Sequence, residues 1–390
     1  MKSVSINSAE RVKAAINHKE TDRVPLDIGG TRVTGIHVQA YHVYRKELGL
    51  PPTNPPLQIR YFQLPNIDED FRLLLGVDVE SINPLTEVEE TDITRDADGW
   101  RYIDRWSCKW FMPNGGSYFD VQDPPLAHAE SIADLEKFPW PKEDSDRVLA
   151  HYTAEAGVAW KEHERALFIG RTSPCFIDML FTLCGYEKGL TDLALNPEFC
   201  EALMDKILEL KITYYSAAID RVLASGIDYF VIDESDDLGT QNGLLVSPDM
   251  YRKMVKPRHT ELFSFIKKRS KGKAYIELHS CGAVREIIPD FVESGVELLN
   301  PIQVSAKGMD DTRALKKEFG DALTFHGGGI DTQNTLAKGT PQAVRDEVRR
   351  RLDDLAPGGG FIFTPVHSIQ HDVPFENFMA MIEAYREYTT

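Results

Sequence analysis

In the stretch Ala274-Tyr-Ile-Glu-Leu-His-Ser-Cys-Gly282 an apolar run ends in a carboxylate, an imidazole and a thiol at alternate positions, Glu277, His279 and Cys281. Successive side chains of an extended strand point to opposite faces, so residues i, i+2 and i+4 share one side. The spacing predicts three metal-ligating groups converging on one spot, a set suited to zinc with an open coordination position. A strand that merely ends in a polar turn would carry the same residues. A third ligand from elsewhere in the chain separates the two readings.

The elements that would position these groups alternate between apolar runs and helical periods. Arg23-Val-Pro-Leu-Asp-Ile-Gly-Gly30 reads as a first strand after a short leading helix that opens at Ser8, and Gly76-Val-Asp-Val-Glu-Ser-Ile-Asn83 reads as a second. Further strands are expected at Ala166-Leu-Phe-Ile-Gly-Arg171, Ile227-Asp-Tyr-Phe-Val-Ile-Asp233, 274–279, 297–300, 322–326 and 360–364, with helical patterns between them. Eight strand–helix units are what a closed parallel barrel needs. The expected fold is therefore α/β, a distorted (β/α)8 TIM barrel forming one domain over 1–390, with a β insertion after the second strand at about 84–141. Asp96-Ala-Asp-Gly99 marks a hairpin turn there, and Trp100, Tyr102, Trp106 and Trp110 make the insertion rich in aromatics, either to wall a pocket or to cover the barrel end. A doubly wound open sheet is the alternative, but Gly29-Gly30-Thr-Arg-Val lacks the glycine spacing of a dinucleotide turn.

Working groups of such barrels sit at the C-terminal strand ends. These ends supply Asp27, Arg171, Asp233 with Glu234, Asp236 and Asp237, His279 with Cys281, Asn300 with Gln303, His326 and His367. His367 leaves the last strand toward the same end as His279 and is a candidate third ligand, with His371 and His326 as substitutes. Gly327-Gly-Gly-Ile-Asp331, after the seventh strand, is a candidate anion loop or a plain tight turn.

Composition narrows the partners. Against 44 Lys+Arg stand 61 Asp+Glu, a formal charge of -17, which would repel nucleic acid and anionic membranes. No apolar run approaches the roughly 18 residues of a membrane span, and the N-terminus lacks the apolar region of a signal peptide, so a cytoplasmic location is expected. Five cysteines in 390 residues do not resemble a disulfide framework. Monomer and homodimer are both open.

Ile276-Glu-Leu-His-Ser-Cys-Gly282, Leu299-Asn-Pro-Ile-Gln303, Gly329-Ile-Asp331, Thr364-Pro-Val-His-Ser-Ile and Pro374-Phe-Glu-Asn377 together resemble the uroporphyrinogen decarboxylase superfamily. That superfamily contains both the decarboxylase and zinc-dependent, corrinoid-linked methyltransferases similar to methylcobalamin:coenzyme M methyltransferase. The likeness is strongest over 171–388, and its fold is a distorted (β/α)8 barrel. The decarboxylases carry an Arg-rich motif near the N-terminus for the many substrate carboxylates; here Leu26-Asp-Ile-Gly-Gly-Thr-Arg-Val-Thr-Gly35 has one Arg, and the pocket tyrosine is missing from Cys175-Phe-Ile-Asp-Met-Leu-Phe181. The methyltransferases use His-x-Cys plus a distant Cys on zinc. His279-Ser-Cys281 matches the first pair and His367 stands where the distant Cys would be, although decarboxylases also have a histidine there.

The resemblance thus implies zinc on His279, Cys281 and His367, with Glu277 as candidate fourth ligand or support. Asp233, Glu234 and Asp237 are expected to handle protons or orient ligands, and Asp27, Arg171, Asn300, Gln303 and His326 to hold substrate. The implied activity is methyl transfer between a small methylated compound (methoxy, methylamine or thiol) and the cobalt of a corrinoid, cobalamin-like, on a partner protein. A cofactor-free tetrapyrrole decarboxylase and a non-enzymatic tetrapyrrole-binding domain are the alternatives.

Overall fold

The computed structural model describes residues 6–85 and 90–389. Seven parallel strands lie side by side in chain order: Val79–Ile82, Ala166–Ile169, Phe230–Ser235, Ala274–His279, Leu298–Asn300, Thr324–His326 and Phe361–Ile362. Helices cover their outer side, the longest being Pro197–Ala224, with Lys256–Arg269, Pro341–Leu355 and Phe375–Thr389 behind later strands. Ala166–Ile169 and Phe230–Ser235 are buried at every residue, as strands of a parallel sheet covered on both faces must be.

Residues 25–27 close the curl. Asp27 N–H donates to the Phe363 carbonyl at 2.9 Å, Phe363 N–H to the Pro25 carbonyl at 2.8 Å, and Asp78 N–H to the Leu26 carbonyl at 2.9 Å. The expected first strand is thus in place but reduced to a single bridge, Leu26 to Phe363. Pro25 has no N–H, and the Leu26 N–H is taken by the Asp78 side chain at 2.8 Å, so the ladder loses two donors. The result is a distorted TIM barrel. The leading helix Ser8–Ile16 is capped by Asn7 and not by Ser8: Asn7 Oδ1 accepts from Glu10 N–H and Glu10 returns the bond.

Between the first and second strands of the seven-stranded sheet the chain forms a separate antiparallel sheet of Thr94–Arg95, Gly99–Ile103, Lys109–Pro113 and Asp120–Asp123. Its first two strands form the hairpin expected from Asp96-Ala-Asp-Gly99, with Asp98 and Gly99 N–H donating to Asp96 Oδ1. No helix among the described residues is long and apolar enough to cross a membrane.

The barrel interior is charged. His326 Nδ1 lies 2.5 Å from Glu277 Oε2 and Nε2 lies 3.0 Å from Asp27 Oδ2, all three residues with zero exposure. Asp27 also accepts from Gly30 N–H, Thr31 Oγ1 and Thr34 Oγ1. Burial alone would lower the His326 pKa, but Glu277 and Asp27 outweigh it and hold the imidazolium up to about 10. Because the folded value lies above the unfolded one of about 6.5, this stabilisation is complete below about pH 6.5 and is lost as pH rises toward 10. Urea denaturation of wild type and His326→Gln should therefore show a stability gap that is widest below about pH 6.5 and narrows toward pH 10. A constant gap would contradict the charged state assigned to His326.

Candidate metal centre

His279 ends its strand, and the turn that follows carries Cys281 back toward it. The turn is tight because Gly282 takes φ +86° and lies against the neighbouring loop: a Cβ there would sit 2.5 Å from the Gly239 carbonyl carbon. Cys281 Sγ consequently lies 3.2 Å from His279 Nε2. His367, from the loop after the last strand, approaches from across the mouth with Nε2 3.7 Å and Nδ1 3.9 Å from the same sulfur. One donor atom from each of the three residues lies within 4.8 Å of the other two.

Two amides fix which nitrogens of these histidines are free. Asn300 Nδ2 donates to the His326 carbonyl at 2.8 Å, so Oδ1 faces His279 Nδ1 at 2.5 Å and accepts its proton. That leaves Nε2 with a lone pair beside Cys281. Gln303 Oε1 accepts from Gly282 N–H at 2.6 Å and is 3.3 Å from His367 Nε2, which must therefore donate, leaving Nδ1 free. Burial, reinforced by His279, holds the His367 pKa down to about 4, so the ring is a neutral ligand at ordinary pH. Burial pushes the Cys281 thiol well up, and Asp237 pushes it further; a cation beside the sulfur would reverse this.

Asp237 Oδ1 accepts from Cys281 N–H at 2.7 Å and lies 3.8 Å from His279 Nε2. Asp178 Oδ2 accepts from Asp237 N–H at 3.0 Å, and burial together with Asp237 and Asp236 raises the Asp178 carboxyl well above its ordinary value. Asp178 and Asp237 line a cavity of about 530 Å³ that also takes in His279, Arg32 and Arg171. Its outer wall is aromatic: Trp110 stacks against Tyr61 and against Tyr102, at centroid separations of 5.1 and 5.9 Å. Tyr102, Trp106 and Trp110 of the insertion line this cavity, whereas Trp100 lies under the Arg95 guanidinium outside it.

A family model described as Uroporphyrinogen decarboxylase (URO-D) matches residues 113–388. The chain belongs to the uroporphyrinogen decarboxylase family. Family members are enzymes, either decarboxylases or methyltransferases. A uroporphyrinogen decarboxylase of Alkalilimnicola ehrlichii is 25% identical over 295 residues, 71% of this chain and 70% of that one. Another, of Psychromonas ingrahamii, is 24% identical over 198 residues, 49% of each chain. Among solved structures, a methyltransferase from Methanosarcina mazei superposes with a TM-score of 0.64 at 18% identity, covering 99% of this chain and 100% of that one, a likeness of fold.

Within this family barrel several residues expected at the mouth lie elsewhere. Glu277 is in the interior on His326 and outside the ligand group, because the strand carries it one repeat below His279. Asp27 and His326 complete that interior network and do not line the cavity. Glu234 points outward, held by Lys211 at 2.8 Å on both oxygens, Tyr215 at 2.5 Å and Cys175 at 3.1 Å. Asp236, two residues on, also faces away and accepts from the first N–H groups of the helix Phe176–Cys184. Asp233 faces inward and pairs with Arg171, below the cavity lining. Asn300 and Gln303 act on the histidines. His371 rests against His37, 5.2 Å between centroids, apart from the ligand group. In the glycine triplet, Gly327 and Gly329 N–H donate to the Ile362 and Thr364 carbonyls, so the loop is a packed turn and not an anion cradle.

Asp178 was missing from the sequence-derived set; its signal is a lone carboxylate in the apolar helix Phe-Ile-Asp-Met-Leu-Phe. Glu234 owes its charged state to Lys211. Lys211→Met should cost about 3–5 kcal/mol in urea denaturation by stranding that buried carboxylate, and adding Glu234→Gln should recover part of the loss.

Proposed function

We propose that this chain is a zinc-dependent methyltransferase, moving a methyl group between a small methylated compound or thiol and the cobalt of a corrinoid carried by a partner protein. The observation that carries the reading is the approach of His279, Cys281 and His367 within 4.8 Å, with both histidine tautomers fixed, beside a cavity walled by aromatic rings. One thiol and two neutral imidazoles fit zinc and leave its fourth position open.

Bound there, zinc would lower the pKa of a coordinated thiol or polarise a coordinated heteroatom. The residues of the chain supply the rest. Asn300 and Gln303 present the ring nitrogens, and Asp237 anchors the Cys281 backbone. Asp178, whose carboxyl is raised by burial and by Asp237 and Asp236, holds a proton next to the ligand group. The aromatic wall excludes water from the reacting atoms. In the demethylating direction the methyl–heteroatom bond breaks with its electron pair left on the heteroatom, which takes up a proton, while the methyl passes to reduced cobalt(I). In the other direction a thiol gives up its proton and receives the methyl. The cytoplasm, where thiols stay reduced, suits Cys281.

Decarboxylation of a porphyrinogen-like tetrapyrrole is the second reading, favoured by the names of the curated relatives. Such a substrate presents many carboxylates. Of the arginines lining the cavity, Arg171 is paired with Asp233 and Arg105 with Glu143, which leaves Arg32 alone to meet them.

Metal analysis of protein purified without chelator should find about one zinc per chain, and His279→Ala and Cys281→Ser should each abolish it together with methyl transfer. Asn300→Ala should retain the site but weaken zinc about 10–100-fold in chelator competition. Metal-free protein that decarboxylates uroporphyrinogen would overturn the proposal in favour of the second reading.

A further inference from the structure

His371, in the loop that carries His367, lies outside the ligand group and rests against His37, a residue where three elements meet. The His37 backbone N–H donates to the Ile369 carbonyl at 2.8 Å, which joins the loop of His367 to the segment leading into the helix Val38–Glu47. Its Nδ1 accepts from Gln39 N–H at 3.2 Å and caps that helix. Its Nε2 lies 3.3 Å from the Ser117 carbonyl in the insertion. The ring is therefore the neutral Nε2–H tautomer, because the cap needs an acceptor at Nδ1 and a carbonyl can only accept. Just beyond Ser117, Phe119, Asp120 and Val121 line the cavity that contains His279. His37 thus fastens one wall of that cavity.

The site is built against a positive charge on this ring. His37 is 1% exposed, and a second proton on Nδ1 would turn a donor against the Gln39 N–H. The ring also stands at a helix N-terminus, where the helix dipole repels cations. The titratable groups that face it are His371 from the last loop and Tyr118 from the insertion, with Asp372 beyond Tyr118. Among the described residues no carboxylate pairs with it. Burial holds the His37 pKa below its ordinary value; the Ser117 carbonyl opposes this and His371 reinforces it. An imidazolium here gains hydration only by leaving, and its departure breaks the helix cap and the Ser117 bond together.

We infer that His37 is a pH-sensitive latch on the cavity wall: neutral, it ties the insertion at Ser117 to the barrel, and protonated, it swings out and frees residues 117–121 at the mouth. The latch is independent of which reaction the cavity hosts. Because the folded value lies below the unfolded one of about 6.5, the latched form keeps its full stability above about pH 6.5. It weakens as pH falls below that, by up to about tenfold per pH unit for one proton.

Hydrogen–deuterium exchange of the full chain, with and without added zinc and corrected for the intrinsic pH dependence of amide exchange, tests the latch one pH unit above and one below about pH 6.5. The amides of residues 117–121 and of Gln39 should exchange about tenfold faster on the acid side, while those of the strand Phe230–Ser235 stay protected at both. His37→Asn, which caps a helix without titrating, should remove the pH response. His371→Gln, which takes away the repelling neighbour, should reduce it. Circular dichroism establishes that both variants are folded. Equal exchange of residues 117–121 on both sides in the wild type, or a response that persists in His37→Asn, would overturn the inference. So would a response seen only in the zinc-loaded protein, since that would place the titrating group among the metal ligands.

Discussion

Asn300 bridges two parts of the barrel, with Nδ2 on the His326 carbonyl at 2.8 Å and Oδ1 on His279 Nδ1 at 2.5 Å. An amide tied down at its nitrogen can only accept at its oxygen, so the orientation of His279 is set from the barrel interior. His326 itself is clamped by Glu277 and Asp27, and Asp27 belongs to the segment that closes the barrel onto Phe363. Barrel closure, the interior ion network and the free lone pair of His279 are therefore one connected arrangement. A change in the closing segment would reach the ligand group through hydrogen bonds alone.

Charge is layered along the barrel axis. Asp27, His326 and Glu277 are joined by hydrogen bonds to one another and from the hydroxyls of Thr31 and Thr34, with Glu277 Oε1 left without a partner. Asp233, in register with Glu277 on the neighbouring strand, pairs with Arg171, and at the mouth Asp178, Asp237 and Arg32 line the cavity. The antiparallel sheet of the insertion roofs this last layer with aromatic rings, which raises the strength of every electrostatic contact beneath it by keeping water out.

Most strands could be read from the sequence because parallel barrel strands are continuous apolar runs, and 274–279 is one of the plainest. The first was harder to delimit, since Pro25 and the Asp78 side chain remove its ladder bonds and leave one bridge. The ligand trio could be named because His279 and Cys281 are close in sequence and the barrel returns the loop of His367 to the same end. The outward turn of Glu234 follows from strand alternation: where Asp233 faces in, Glu234 faces out, and an outward buried carboxylate needs a partner such as Lys211. What no local pattern could supply is the pairing state of each charge. Arg171 and Arg32 look equivalent as letters, yet one is neutralised by a residue 62 positions away and the other is not. Asp178 belongs to the same class, because its proximity to Asp237 arises from a helix folding back over the mouth.

The central claim is that His279, Cys281 and His367 form one zinc site. Zinc K-edge X-ray absorption on the purified protein measures this directly. The account predicts a first shell with a single sulfur at about 2.3 Å and two imidazole nitrogens at about 2.0–2.1 Å, completed by one light atom from solvent or substrate. A shell of oxygen and nitrogen without sulfur, or a sulfur signal that survives Cys281→Ser, would contradict it.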